Sequence, residues 1–288
     1  MTESYKLAAS RLRSAEALLI TAGAGMGVDS GLPDFRGNEG FWRSYPPMAK
    51  LGISFSEMAN PDWFERDPRL AWGFYGHRLN LYRQTIPHEG FLTLLEIASQ
   101  MPAGYFVFTS NVDGQFQAAG FAQQRIEECH GSIHFLQCTA PCSSRIWEAS
   151  ELCVDVDEES FRANGPLPEC ADCGRLSRPN ILMFGDWAWA GARSHEQSSR
   201  LTNWLSVLAR ERKRLVVLEV GAGKSVPTVR LRSEQVAQTH STSLIRINPR
   251  DFDVPASCDI GLPVGSREGI NGIRQEFIKL GACAAERE

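Results

Sequence analysis

The sequence predicts an α/β protein in which a parallel sheet, covered by helices on both faces, carries a smaller inserted lobe. Three observations predict this class: short apolar runs that end abruptly in small or polar residues, stretches with helical spacing between them, and two stretches of different composition that interrupt the alternation. A parallel strand is buried on both faces and therefore forms a continuous apolar run, unlike a half-exposed strand.

Four apolar runs supply the candidate strands of the sheet. They are ALLIT at residues 17–21, YFVFT at 105–109, RLVVLEV at 214–220 and SLIRI at 243–247. Glycine, serine or asparagine follows each run directly or after one alanine. Because open α/β sheets bind their ligands at the carboxyl ends of parallel strands, we expect the segments after these strands to line one site.

Apolar residues recur at helical spacing in residues 91–100 and 269–280, which predicts helices that cover the sheet faces. The two interrupting stretches are residues 38–87, rich in aromatic side chains, and residues 129–179, which contain two cysteine pairs. We expect them to form the small lobe, the first as a helical insertion and the second as a metal-binding module. The main domain would then comprise residues 1–37, 88–128 and 180–288.

Composition excludes several classes of protein. With 288 residues, 43% hydrophobic and 22% charged, the chain is typical of a globular protein with about two lobes. No apolar run approaches the roughly 18 residues of a membrane-spanning helix, and the first residues are polar, so we expect a cytoplasmic protein with no membrane partner. A formal net charge of −4 argues against nucleic acid as a partner.

A glycine-rich loop, GAGMGVDSG at residues 23–31, follows the first candidate strand. Small residues let backbone amides approach a diphosphate, and the N-terminus of a following helix supplies positive potential. Gly23, Ala24 and Gly25 are therefore candidate cofactor-binding residues. The spacing is not a regular GxGxxG, and such a turn is often only a tight connection, so the loop alone leaves both interpretations open.

The continuation of this loop, LPDFRG, extends it to GAGMGVDSGLPDFRG, which resembles the NAD-binding signature of the sirtuin family. The resemblance implies a Rossmann-like fold and NAD as a consumed co-substrate. It further implies that the first residues of the loop hold the pyrophosphate and that the following residues shield the nicotinamide–ribose bond. Those following residues are Phe35 and Arg36, with Asp34 beside them in the same cofactor-binding loop.

Five further segments resemble family motifs and occur in the family's order: TSNVD at residues 109–113, HG at 130–131, MFGD at 183–186, GAGKSVP at 221–227 and INP at 247–249. The resemblance implies a role for each. By this resemblance the catalytic residues are His130, Asn111 and Asp113, and Ser110 lies beside the last two in the nicotinamide pocket. The peptide substrate would contact Phe184, Gly185 and Asp186. The phosphate-side loop would contribute Gly221, Ala222, Gly223 and Ser225, and the adenosine ribose would contact Asn248.

The chain departs from the family pattern around the same site. Gly27 and Ser110 replace a serine and a glutamine, Ala222 and Gly223 replace a Thr-Ser pair, and Asp186 is one methylene shorter than the usual glutamate. Each change removes hydrogen-bonding reach, and one neutral hydrogen bond contributes about 0.5–1.5 kcal/mol. We expect binding to survive these losses, and the chain to belong to a divergent branch.

Two cysteine pairs, Cys138-x3-Cys142 and Cys170-x2-Cys173, are separated by 27 residues. This spacing can place four thiolates around one tetrahedral zinc, and four thiolates leave no open position, so the predicted zinc is structural. The alternatives are unrelated buried cysteines, or a zinc ribbon that grips a partner. The acidic residues within 155–159 disfavour nucleic acid as that partner, whereas protein contact stays open.

The motif Tyr75-x-x-Arg78 lies in the aromatic insertion. Residues three apart share a helix face, and an arginine guanidinium suits a carboxylate, so the pair could bind one anion. The alternative is a tyrosine packed in the core and a solvated arginine. The stretch from Phe35 to Arg43 resembles the sirtuin class that removes succinyl, malonyl and glutaryl groups, and this resemblance implies that the pair forms an acyl pocket.

Together these observations predict an NAD-dependent protein-lysine deacylase, which transfers the acyl group to ADP-ribose and releases nicotinamide. Its partner would be an acyl-lysine protein substrate. His130 is suited to act as base because an imidazole accepts protons near cellular pH. Two alternatives remain: an NAD hydrolase or protein ADP-ribosyltransferase on the same fold, and a non-catalytic NAD-sensing module. A dehydrogenase is disfavoured because no acidic residue ends a second strand about 20 residues after the glycine loop.

Overall fold

The computed structural model describes residues 1–33, 37–140, 142–157 and 159–285. Within these residues the chain forms a six-stranded sheet and a separate three-stranded sheet. The predicted α/β class, with a smaller inserted lobe, is confirmed. Asp34, Phe35 and Arg36 lie outside the described residues, and their role in NAD binding stays a prediction.

The strands follow the apolar runs of the sequence closely. Their bounds are Ala17–Ala22 (β1), Tyr105–Thr109 (β2), Ile126–Glu128 (β3), Gly131–Cys138 (β4), Ile146–Glu148 (β5), Ser177–Ile181 (β6), Leu215–Val220 (β7), Leu244–Ile247 (β8) and Ile260–Leu262 (β9). The helices are Thr2–Ser14 (α1), Gly37–Ser44 (α2), Pro46–Leu51 (α3), Phe55–Met58 (α4), Trp63–Arg66 (α5), Pro68–Gln84 (α6), Glu89–Ser99 (α7), Gln115–Ala118 (α8), Ala192–Arg210 (α9), Thr228–Thr239 (α10) and Ser266–Ala285 (α11).

The large sheet has the strand order β3-β2-β1-β7-β8-β9, and every pairing is parallel. The chain runs outward from β1 to β3 on one side and returns beside β1 with β7. The order therefore reverses between β1 and β7. A crevice outside the carboxyl ends of strands at such a reversal is the usual ligand site of open α/β sheets.

Helices cover both faces of this sheet. On one face α1, α7 and α11 contribute Leu12, Phe91 and Ile273 to a single apolar core with the strands. On the other face α9 and α10 contribute residues such as Leu201 and Val236 to a second core. This layering buries β1 and β7 completely, which explains why their sequences are continuous apolar runs.

The small lobe combines α2 to α6 with the antiparallel sheet β5-β4-β6. Its longest helix, α6, is capped by the preceding Asp67, whose side chain accepts a hydrogen bond from the amide of Leu70. The indole of Trp72 on α6 donates to the Ser177 carbonyl at 3.0 Å and ties the helix to β6. A methyl group at Gly73 would lie 2.1 Å from the Phe161 carbonyl oxygen, so α6 and the cysteine-containing segment approach closely. The helical and cysteine-containing stretches therefore share one core.

None of the helices in the described part of the chain has both the length and the apolar character needed to cross a membrane.

Candidate active site

A cavity of about 870 Å³ opens at the carboxyl ends of β1, β2 and β7, between the large sheet and the small lobe. Most of the residues predicted from sequence line it. They are Gly23, Ala24, Tyr75, Arg78, Ser110, Asn111, Asp113, His130, Phe184, Gly221, Ala222, Gly223 and Ser225. The cavity is within the usual size range of small-molecule and cofactor sites.

Two glycine loops pack backbone against backbone at one end of the cavity. Gly25 donates its amide to the Gly221 carbonyl at 3.0 Å. Gly221 has φ +66°, and a methyl group there would lie 2.3 Å from the amide nitrogen of Met26. A methyl group at Gly23 would lie 2.8 Å from the α-carbon of Ala222. Only glycine allows this close approach of the two loops.

Asn248 stabilises the glycine loop that contains Ala222. It is fully buried, donates from Nδ2 to the Ala222 carbonyl at 2.8 Å, and accepts the amides of Arg250 and Asp251 at its Oδ1. The predicted contact of Asn248 with a ribose stays a prediction. Arg250 and Asp251, together with Lys224, line the cavity here, although motif comparison did not single them out. These three residues lie in the loops that follow β7 and β8, and this position was the sequence signal that could have identified them.

The segment after β2 forms the middle of the cavity floor. The Thr109 hydroxyl donates to the Ala22 carbonyl and accepts the amide of Asn111, each at 3.0 Å. The Asp113 carboxylate accepts the amide of Gln115 at 2.9 Å. Burial raises the pKa of Asp113 to about 6, and the nearby Glu128 carboxylate adds to this increase. Asp113 is therefore mostly ionised at neutral pH but titrates close to it.

His130 lies where the chain leaves the large sheet after β3 and enters the small sheet at β4. Its carbonyl accepts the Leu182 amide at 2.9 Å. The next residue, Gly131, has φ +78°, and a methyl group there would lie 2.1 Å from the Asn180 carbonyl oxygen. Burial lowers the pKa of His130 below 6.5, so its imidazole is neutral and able to accept a proton at neutral pH.

Tyr75 and Arg78 lie side by side on α6 at the inner end of the cavity, and both are buried. Arg78 donates from Nε and Nη2 to the Tyr82 hydroxyl at 3.0 and 2.9 Å. Its guanidinium carbon is 5.7 Å from the centre of the Tyr75 ring. Burial raises the pKa of Tyr75 to about 12, so its hydroxyl stays protonated, and among the described residues that hydroxyl has no hydrogen-bond partner. The alternative of a solvated Arg78 is therefore wrong.

Tyr82 completes this group but was not predicted. It lies one helical turn after Arg78 and lines the same cavity. The spacing Tyr75, Arg78, Tyr82 is the three-then-four pattern of one helix face, and this was the available signal.

The loop after β6 forms one wall of the cavity through Phe184, which is 43% exposed and donates its amide to the Ala59 carbonyl at 2.9 Å. Gly185 turns the chain with φ +69°. The Asp186 carboxylate points inward, where it pairs with Arg178 at 2.8 Å and accepts the Ala188 amide at 3.1 Å. Asp186 thus stabilises the loop that presents Phe184.

The four predicted zinc ligands lie together, away from the cavity lining. All four sulfur atoms are within 4.8 Å of one another, with Cys138 to Cys173 at 3.6 Å and Cys142 to Cys170 at 3.7 Å. A tetrahedral zinc with Zn–S bonds of about 2.3 Å separates its sulfurs by about 3.8 Å. The cluster therefore fits one structural zinc, and the predicted grouping is confirmed.

Comparison with known proteins agrees with this geometry. A sequence model of the Sir2 family matches residues 23–207. An NAD-dependent protein deacylase of Aquifex aeolicus is 27% identical over 260 residues, which cover 89% of this chain and 93% of the relative. An NAD-dependent protein deacylase of Pyrococcus furiosus is 34% identical over 174 residues, 60% of this chain and 62% of the relative.

The fold also has close structural neighbours. A Sir2 homologue solved in complex with ADP-ribose has a TM-score of 0.69 and 24% identity, and the match covers 95% of this chain and 96% of that structure. A second structure, of a Sir2 enzyme, has a TM-score of 0.66 and 23% identity and covers 97% of this chain. At these identities the likeness concerns the fold.

Proposed function

The chain belongs to the Sir2 family of NAD-dependent protein deacylases, and we propose that it preferentially removes acyl groups ending in a carboxylate from protein lysines. The observation that carries this proposal is the buried Arg78 beside the Tyr75 ring, in the same cavity as His130. NAD is the co-substrate: the acyl oxygen bonds to the ribose carbon that carries nicotinamide, the nicotinamide–ribose bond breaks, and nicotinamide leaves with its electron pair.

The paired glycine loops are suited to hold the diphosphate of NAD. A side chain at Gly23 or Gly221 would collide with the backbone of the opposite loop, so the close pairing of the loops depends on glycine at both positions. Backbone amides of glycine-rich loops can donate hydrogen bonds to phosphate oxygens without a charged side chain. The replacement of a Thr-Ser pair by Ala222 and Gly223 leaves the contact to the backbone.

Asn111 and Asp113 are suited to hold the nicotinamide carboxamide. The backbone of Asn111 is fixed by Thr109, and the Asp113 carboxylate is ionised at neutral pH, so it can accept a hydrogen bond from an amide N–H. We expect this pair to orient the ring so that the bond to be broken faces the acyl group.

His130 acts in this proposal as the general base. Its neutral imidazole accepts a proton from a ribose hydroxyl of the substrate, which lets the hydroxyl oxygen attack the acyl carbon. Water then adds at the acyl carbon, lysine leaves as a free amine, and the acyl group remains on ADP-ribose. The zinc site lies away from the cavity lining and takes no part in the chemistry.

Arg78 and Tyr75 give the acyl end of the cavity its chemical preference. A carboxylate reaching this end could accept hydrogen bonds from the guanidinium and from the phenol. Hydrogen bonds to charged groups contribute about 1.5–3 kcal/mol each, so even one corresponds to roughly a tenfold to hundredfold preference. An acetyl group ends in a methyl group, which cannot accept hydrogen bonds at this end of the cavity.

A peptide panel tests this proposal. We expect kcat/KM for a succinyl, malonyl or glutaryl peptide to exceed that for the acetyl peptide at least tenfold in the wild-type protein. Arg78→Met should remove this preference by lowering activity on the acidic acyl peptides roughly fiftyfold and leaving acetyl activity within about threefold. Arg69→Met, on the same helix and with its guanidinium bonded to the Ala163 carbonyl, is the matched control.

Mass analysis of the products separates this function from its alternatives. O-acyl-ADP-ribose with free lysine is the expected product. Equal or better rates on acetyl-lysine that are unaffected by Arg78→Met would refute the acyl preference. Free ADP-ribose or ADP-ribosylated protein as the main product would instead assign NAD hydrolysis or ADP-ribosyl transfer.

A further inference from the structure

Helix α9 covers the outer edge of β3, the short strand that ends two residues before His130. A strand at the edge of a sheet leaves backbone N–H and C=O groups without partners. Here the Glu128 amide donates to Oε1 of Gln197 at 3.0 Å, and the Glu128 carbonyl accepts the Ser194 hydroxyl at 2.9 Å. Side chains of α9 therefore replace a neighbouring strand and hold the chain just before the histidine.

The Glu128 side chain is held by the same helix. Its carboxylate pairs with Arg193, and the two side chains are only 1% and 13% exposed. Removing two charges from water costs about as much free energy as their attraction returns. A buried ion pair is therefore weak evidence for a net stabilisation of the fold. Such a pair does fix geometry, because a shift of either partner leaves a buried charge unpaired.

Arg193 also contacts the strand that follows His130. Its guanidinium carbon lies 4.0 Å from the centre of the Phe135 ring on β4. The neighbouring His134 bonds through Nε2 to the Asp113 carbonyl at 2.9 Å. Arg193 thus touches the segments on both sides of His130, and β4 in turn supports the Asp113 segment of the cavity floor.

We propose that Arg193 is a positioning residue. Acting through Glu128, it fixes the positions of His130 and Asp113 where the chain passes from the large sheet to the small sheet. The inference rests on the proposed role of His130 as base. Arg193 does not line the cavity, so its effect reaches the reaction through the residues that it holds.

The ion pair of Arg193 and Glu128 also neutralises the negative charge of the Glu128 carboxylate. Loss of Arg193 would leave the Glu128 carboxylate without its cation. An unpaired negative charge favours protonation of neighbouring groups, so the pKa values of both Asp113 and His134 should rise. The other charged or titratable groups around these two residues are Arg78, Tyr82 and Arg83, all on α6.

The test compares Arg193→Met, Arg193→Lys and Arg200→Met with the wild-type protein. Arg200 lies on the same helix and pairs with the exposed Glu196, so Arg200→Met is the matched control. For Arg193→Met we expect kcat to fall roughly 30-fold or more, with KM for NAD changed less than threefold. The acid limb of the pH profile of kcat should move to higher pH by about half a unit or more. The reaction needs both Asp113 and His130 unprotonated, and the pKa of Asp113 is expected to rise. Arg193→Lys should recover much of both effects.

A second measurement does not depend on turnover. NMR titration of the histidine ring signals should show the His134 pKa rising in Arg193→Met and unchanged in Arg200→Met. A lower melting temperature with an unmoved pH profile and unmoved His134 titration would overturn the proposal, because it would reduce Arg193 to a structural residue. Wild-type kcat would overturn it as well. Failure of the proposed function is distinguished by the wild-type protein itself, which would then show equal or better rates on acetyl-lysine, or free ADP-ribose or ADP-ribosylated protein as its main product.

Discussion

At the scale of single residues, the same buried environment has opposite effects on the two titratable groups of the cavity floor. Burial disfavours the charged form, so it raises the pKa of Asp113 to about 6 and lowers the pKa of His130 below 6.5. Both groups titrate on the acid side of neutrality. Near pH 7.5 the imidazole is neutral and the carboxylate is ionised, which is the pair of states that a base and a hydrogen-bond acceptor require.

We expect His130→Ala to lower deacylation by a factor of about 100 or more, because general base catalysis contributes roughly 10²–10⁴-fold. The affinity for NAD should change less than threefold, since the glycine loops hold the diphosphate. Single-turnover kinetics and calorimetric NAD titration measure the two quantities. His195→Ala, at an exposed position on α9, is the control, and wild-type deacylation in His130→Ala would rule out this assignment.

Single residues also show the limits of sequence reasoning. The positions of Asn111, Asp113 and His130 in one cavity followed from strand ends and motif order. The inward turn of Asp186 toward Arg178 did not, because it depends on β6 bringing a buried arginine beneath the loop. Contacts between residues remote in sequence leave no local pattern.

At the scale of elements, prediction succeeded where burial on both faces dictates the sequence. The run at residues 105–109 is β2 without change, and those at 214–220 and 243–247 each begin one residue before the observed strand. The strands that escaped prediction include β6 and β9. The sequence of β6, SRPNI, is polar although all five of its residues are buried, so it does not form an apolar run. The strand β9 has only three residues, and the central one is glycine.

The paired glycine loops can be tested as elements. Gly221→Ala should weaken NAD binding at least tenfold and lower the melting temperature, because the new methyl group would collide with the backbone of Gly25 and Met26. Gly165→Ala is the matched control, since Gly165 has nearly the same φ, +65°, with open space around it. It shares the cost of a left-handed backbone, about 1–2 kcal/mol, without the collision. Equal effects in the two variants would show that close approach of the loops is not the reason for glycine.

At the scale of the whole molecule, the zinc cluster and the cavity are connected through one strand. β4 begins directly after His130 and ends at Cys138, and β6 runs beside it. The cluster was predictable because its spacing is local in sequence. Its mechanical link to the cavity was not predictable, because it requires knowing that the same strand carries both.

Removal of zinc should therefore affect catalysis without removing a catalytic metal. Four thiolates brought within 4.8 Å of one another need a cation to hold them together, and structural zinc contributes free energy of folding directly. We expect about one zinc per chain by elemental analysis. Chelation should lower the melting temperature by about 10 °C or more, and deacylation should fall in parallel.

Two comparisons decide whether the metal acts in this way. Cys142→Ser should lose zinc and reproduce the effect of chelation, whereas Cys153→Ser, at an exposed thiol outside the cluster, should retain zinc and full activity. Readdition of zinc should restore melting and activity together, because both depend on the same folded strand. Full activity with unchanged melting in a zinc-free protein would show that β4 and β6 hold the cavity without the metal.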